Sequence, residues 1–257
     1  MRPAASHRDS SPITLEHAVE AFVRGFTFTR SFTHPYVPQR VGGVWVARDA
    51  PRKNGAYRNE EWIAHGVAPA EIDRLAKAHT RGRFLLCPIV AAGDDDAPLR
   101  RQFKALGYRL STTQPLMVHS LRRIERFDSP ATIQRVTRAG LADRLARAAR
   151  GRPLLPEHLD VSGDPPIRVY VAMIDSEIVG WARSIAAGDL AWCGSMFVVA
   201  RHRRRGIARA MLSRMLADDR KSGARAGVLL ASHTGAKLYA AAGYQQIGTL
   251  LLYHRKK

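Results

Sequence analysis

The sequence predicts an α/β protein with a mixed sheet, built in two similar halves. Short apolar runs of strand character alternate with amphipathic helical stretches from Val41 onward. One run, Ser195 to Val199, passes through a basic turn straight into an amphipathic helix. The order strand, helix, strand, helix, Gly-Tyr, strand then occurs twice, with Phe103-Lys104-Ala105-Leu106-Gly107-Tyr108 resembling Tyr239-Ala240-Ala241-Ala242-Gly243-Tyr244.

The elements follow in order. Residues 1 to 12 read as a disordered lead. Ile13 to Gly25 is a helix capped by Thr14, with Leu15, Val19, Phe22 and Val23 on one face. Val41 to Ala47 is a strand, Arg48 to Asn59 a polar loop and Glu60 to His65 a strand. Pro69 to Thr80 is a helix and Arg83 to Ala91 a strongly apolar strand. Asp94, Asp95 and Asp96 make a turn, with a metal or cationic-ligand site as the alternative. Pro98 to Leu106 is a helix, and Tyr108 to Leu121 a strand pair kinked near Pro115. Ile133, Val136, Leu141 and Leu145 mark an amphipathic helix, broken near Gly140. Leu154 to Pro166 is a loop. Ile167 to Ile174 and Ile178 to Ile185 form a hairpin about Asp175-Ser176-Glu177, and Ala191 to Val199 completes a meander. After the basic turn come a helix with Ile207, Met211, Met215 and Leu216 inward, a strand Gly227 to Ala231, a helix capped by Ser232 and closed by Gly243, and a last strand Gln246 to Tyr253.

With 257 residues, 46% apolar and 25% charged, the chain has a globular composition and room for one large or two ordinary domains. Cys87 and Cys193 sit in separate apolar runs without disulfide or ligand spacing, which suits a reducing compartment. No run reaches the roughly 18 apolar residues of a membrane span and no secretory leader is evident. The expectation is a cytoplasmic protein with no membrane partner, monomer or homodimer. The net charge of +19 comes from 41 basic residues, 34 of them arginine. Up to residue 120 there are 17 basic and 11 acidic residues; beyond it there are 24 and 11. The positive field is therefore concentrated in the C-terminal half, where it can steer a polyanionic ligand. No zinc-finger spacing or RNA-binding aromatic motif accompanies it, so nucleic acid is a minor reading.

The turn Arg203-Arg204-Arg205-Gly206-Ile207-Ala208 places small residues where side chains would crowd a ligand. Unpaired N–H groups and the partial positive charge of a helix start favour an anion there, with Arg201 and Arg203 to Arg205 beside it. A pyrophosphate suits it. No Gly-Lys-Ser/Thr follows, which excludes a Walker A loop, and a single glycine argues against a dinucleotide fingerprint.

Arg203-x-x-Gly206-x-Ala208 after an apolar strand resembles the pyrophosphate loop of the GNAT (Gcn5-related N-acetyltransferase) superfamily, and Leu238-Tyr239-x-x-x-Gly243-Tyr244 resembles its second motif. The resemblance covers roughly residues 121 to 257. It implies the acyl-CoA N-acyltransferase fold in two tandem copies, a degenerate one at 1–120 and a working one at 121–257. It further implies acetyl-CoA as co-substrate and an amine acceptor attacking the thioester directly. Phe197, Val198 and Val199 would hold the pantetheine as an added strand, while Arg203, Arg204, Arg205, Gly206, Ile207, Ala208 and Arg209 would hold the pyrophosphate. Ser232 and Gly235 would border the pantetheine arm, and Tyr239 would protonate the departing thiolate. The general base is unassigned, because Ala191 to Val199 holds no carboxylate; Ser195 or Cys193 could hold a water, and His233 and Glu177 are further candidates. A Cys193–His233 nucleophilic pair is a covalent alternative with no local support. Phe103 stands where Tyr239 does, so the first half reads as a scaffold or a wall of the acceptor cleft. The competing reading is a non-catalytic acyl-CoA sensor or a basic interaction module.

Overall fold

The structure is a computed structural model that describes residues 12–53, 55–159 and 165–255. The expected lead lies outside the described residues, except for Pro12. The first helix, α1 (Leu15–Arg30), begins where Thr14 accepts a hydrogen bond from the His17 N–H at 3.2 Å, and it runs past Gly25. Gly25 does not end the helix because it is a packing position. A Cβ there would lie 2.2 Å from Cγ of Trp192. Gly25→Ala is accordingly expected to lose about 1–3 kcal/mol to overpacking, although alanine is the better helix former by about 1 kcal/mol. Urea unfolding checks this, and a gain in stability would refute the packing argument.

The strand expected at Val41 to Ala47 is instead a hairpin, β1 (Tyr36–Val41) and β2 (Val44–Asp49), because Gly42 and Gly43 both adopt positive φ and turn the chain. Then follow β3 (Glu60–His65), α2 (Pro69–His79), β4 (Phe84–Ala91), α3 (Ala97–Ala105) and β5 (Tyr108–His119). The aspartate turn serves α3: Asp95 accepts from the Ala97 N–H and Asp96 pairs with Arg100. β5 is one strand, not the expected kinked pair. Pro115, which lacks an N–H, lies opposite Thr249 beside an irregularity in the partner strand, and its carbonyl accepts from Ala231 at 2.9 Å.

The helix expected around Ile133 to Leu145 divides. β6 (Thr132–Arg135) pairs with the hairpin ahead, and only Leu141 and Leu145 lie in α4 (Ala139–Ala149). Strand pairing overrides helical spacing there. The C-terminal half continues as β7 (Ile167–Ile174), β8 (Glu177–Ala187), β9 (Leu190–Val198), α5 (Ile207–Lys221), β10 (Gly227–Leu230), α6 (His233–Ala240) and β11 (Gln245–Arg255).

All eleven strands form one sheet in the order β1-β2-β3-β4-β11-β5-β10-β9-β8-β7-β6. β5 and β11 lie side by side at its centre, so β4 is bordered by the last strand of the second half and β10 by the last strand of the first. One apolar core beneath α1 and α4 draws on both halves, from Ile63 and Cys87 to Val169 and Trp192. On the opposite face α2 and α3 cover one end of the sheet, and α5 and α6 the other.

Candidate active site

The two parallel strand pairs differ in one respect that defines the site. β3 and β4 stay paired from Glu60–Phe84 to His65–Ile89. β9 and β10 pair only at Ala191–Gly227 and Trp192–Val228 and then separate. Just past that point β9 bulges against β8, where Trp181 pairs with Phe197 but Arg183 with Gly194, and Ser195 is driven to φ 54°. A non-glycine residue at positive φ is uncommon, and here it marks the bulge at the mouth of an opening in the sheet.

Along the freed edge, Val199 donates to the Val179 carbonyl at 2.9 Å and so belongs to the β8 ladder. By strand alternation Val198 turns its peptide groups the other way, toward the opening. Its carbonyl already accepts from Nε of Arg203 at 2.9 Å. Phe197 is 38% exposed and stacks on Trp181 with ring centroids 4.4 Å apart.

The basic turn does two separate jobs. Arg203 clamps the turn back onto β9, and Arg205 leans on His202. Gly206, at φ 78°, swings the chain into α5, and a Cβ there would meet the Asp128 carbonyl at 2.5 Å. Only glycine meets both demands. Among the described residues, none accepts a hydrogen bond from the backbone N–H of Arg205, Gly206, Ile207, Ala208 or Arg209. These donors and the exposed guanidinium of Arg204 form a rim whose chemistry suits an anion, and Arg209 is adjacent with its guanidinium 4.8 Å from the Phe127 ring.

At the start of α6, Ser232 accepts from the Gly235 N–H at 3.0 Å, so its hydroxyl caps the helix. Gly235 makes room for Tyr239: a Cβ there would lie 3.3 Å from the tyrosine ring. Tyr239 packs edge-on against Tyr244 at 5.7 Å, and burial, with the nearby Cys193 thiol, raises its pKa well above the usual phenol range. No described group hydrogen-bonds its hydroxyl, which therefore stays protonated and available. Cys193 is fully buried with its thiol pKa pushed up by burial, while His233 bonds to Thr113 at 2.8 Å. Neither feature favours a covalent pair of Cys193 with His233.

On the opposite face of the sheet a cavity of about 390 Å³ opens between α1 and the strands, reaching Cys193, Gly194 and Ser195. Its wall along α1 is Phe22, Phe26 and Arg30 on successive turns, about 12 Å from end to end at 1.5 Å per residue. Phe22 meets Trp192 at one end, and Arg30 meets Glu61 at 3.4 Å at the other. Sequence reading missed Glu61 and Arg183, both of which line the cavity. The signal was an ionisable residue in an apolar strand, and no spacing rule shows that α1 covers these strands.

Glu61 and its neighbour Glu60 differ. Glu60 accepts from Trp62 and from the Arg81 N–H, whereas Oε2 of Glu61 is buried without a partner. Burial pushes the Glu61 carboxyl up to about 7, with Arg30 opposing. The folded protein therefore holds this proton where the unfolded chain, near 4.5, releases it. Stability from this group is greatest below pH 4.5 and falls by about 3 kcal/mol as pH rises to 7. Glu61→Gln is expected to flatten that slope. Melting temperatures of both proteins at pH 5 and pH 8 test it, and parallel slopes would refute it.

The first half lacks these parts. β3 and β4 leave no opening, Gly66-Val67-Ala68 leads into α2 without a basic turn, and Phe103 is wholly buried, stacked on Tyr253 at 4.4 Å.

Residues 165–246 match the family model described as acetyltransferase (GNAT) domain. Among solved structures, a GCN5-related N-acetyltransferase from Kribbella flavida is similar at 16% identity, covering 93% of this chain and 95% of that one, with a TM-score of 0.63. Another from Sphaerobacter thermophilus shows 20% identity over 83% and 76%, with a TM-score of 0.53. A tandem GNAT protein from the clavulanic acid biosynthesis pathway shows 14% identity over 93% and 95%, at 0.51. At these identities the structures speak for the fold. No protein of curated function matches the chain in sequence. No helix among the described residues is long and apolar enough to cross a membrane. The opened β9–β10 pair, the glycine turn into α5 and the shared architecture agree on the GNAT fold, and the sequence similarity to the GNAT acetyltransferase domain lies in residues 165–246 of the chain's C-terminal half.

Proposed function

We propose that the protein is an acetyl-CoA-dependent N-acetyltransferase acting on a primary amine in a ternary complex, with the working site in residues 121–257 and residues 1–120 as a second, altered copy of the fold. The observation that carries this is the separation of β9 from β10 beside a row of unpaired N–H groups. Pantetheine lies along the freed edge of β9, and its pyrophosphate meets the N–H groups of Arg205 to Arg209. Arg203 serves by closing the turn, with Phe197 and Val199 shaping the edge whose peptide groups Val198 presents.

The amine nitrogen attacks the thioester carbonyl carbon, forming the C–N bond. A main-chain N–H at the bulge stabilises the oxyanion, and the C–S bond then breaks. The amine loses a proton to solvent or a bound water, and the departing sulfur takes one from the Tyr239 hydroxyl. The raised pKa of Tyr239 keeps that proton in place at neutral pH.

Thermal unfolding with and without acetyl-CoA is the test. Ligand at about 100 times its Kd adds roughly 2.7 kcal/mol, a shift of a few degrees for a chain of this size. No shift at millimolar acetyl-CoA would leave the fold without the activity.

A further inference from the structure

The cavity holds a cation with no counterpart. Arg183 of β8 pairs in register with Gly194, directly at the bulge, and lies on the α1 face. A Cβ on Gly194 would come 3.7 Å from its Nε. That Nε is buried and unbonded, and among the described residues no carboxylate or carbonyl pairs with the guanidinium. Burial alone shifts its pKa, downward, with no neighbouring charge to oppose it. By contrast, the buried Arg168 lies on Asp219 at 2.8 Å. A half-buried guanidinium with no partner in the fold is available to a ligand, and a planar two-pronged donor matches a carboxylate.

Next to Arg183 the wall is apolar, made by Phe22, Trp192, Leu230 and Leu252, and the Arg30–Glu61 pair lies at the far end. We propose that the acceptor is an α-amino carboxylate with an apolar side chain, and that Arg183 holds its carboxylate while its amine faces the opening between β9 and β10. The side chain then lies along α1 toward Glu61. This rests on the transfer reading above and narrows it to a substrate class. Arg183 is a specificity-determining residue, and it leaves the thioester chemistry to the groups already described.

The probes are matched pairs that differ only in the carboxylate, L-phenylalanine against phenethylamine and L-leucine against isoamylamine, with O-phosphoethanolamine as a phosphate-bearing amine. Release of the CoA thiol is followed at saturating acetyl-CoA, and binding is measured by calorimetry in the presence of CoA. For the wild type, kcat/KM is expected to favour each amino acid over its decarboxylated partner by about 100-fold, the scale of a buried charge-assisted contact. Arg183→Met should remove that preference, chiefly by raising KM for the amino acids. Its melting temperature should not fall, because the guanidinium makes no hydrogen bond or ion pair in the fold to lose; a merely structural arginine would lower it. Arg183→Lys should restore part of the preference. The proposal is overturned by a wild type that prefers phenethylamine or O-phosphoethanolamine, or by Arg183→Met lowering both members of a pair equally. Should no amine be turned over while acetyl-CoA binds, the transfer reading fails, and calorimetric preference for the amino acids still decides the role of Arg183.

Discussion

Tyr239→Phe is expected to lower kcat by about 10² to 10⁴-fold while acetyl-CoA affinity stays at the wild-type value. The substitution deletes one oxygen. The ring keeps its edge-on contact with Tyr244 and its place over Gly235, so the fold has no reason to change. Tyr244 is the internal control. Its hydroxyl is buried and unbonded against Gly227, so Tyr244→Phe removes an unsatisfied polar group and should leave kcat alone. Steady-state kinetics with a turned-over amine, beside calorimetric titration of acetyl-CoA, separates the two. An unchanged kcat in Tyr239→Phe would take the acid role from this residue. A protein that binds acetyl-CoA and never turns over would stand instead as an acyl-CoA sensor.

Gly206→Glu is expected to abolish the thermal shift that acetyl-CoA produces. Two effects add: a side chain at φ 78° is strained, and its Cβ would press on the Asp128 carbonyl at 2.5 Å. The unliganded protein should therefore lose about 1–3 kcal/mol. The new carboxylate would also lie in the rim meant for the pyrophosphate. Gly223→Ala separates strain from binding. Gly223 has φ 91° in open space beyond α5, so its variant carries backbone strain alone and should keep the full ligand shift. If Gly206→Glu retained that shift, the turn would not be the phosphate site.

Much of this protein was readable as a string because the relevant physics is local. The strand, basic turn and helix from Leu190 to Lys221 follow from apolar runs, one glycine and helical spacing within a few dozen residues. The Ser232 cap, the Gly243 stop and Tyr239 on the intervening helix are likewise fixed by neighbours in sequence. Where tertiary pairing competes with local pattern, the string misled. Ile133 and Val136 have helical spacing with Leu141 and Leu145, yet strand pairing with β7 takes the first pair.

Amino-acid order by itself determined the fold class, the basic glycine turn and the position of Tyr239, since each depends on residues close together in the chain. Only the tertiary structure decided that β9 leaves β10 after Trp192, that β5 and β11 exchange neighbours, and that α1 roofs a cavity containing Glu61 and Arg183. The last two depend on segments more than a hundred residues apart meeting across one sheet. An arginine on a strand reads the same whether it faces water or lines a cleft, and its place in the cavity without a partner makes Arg183 a candidate for recognition.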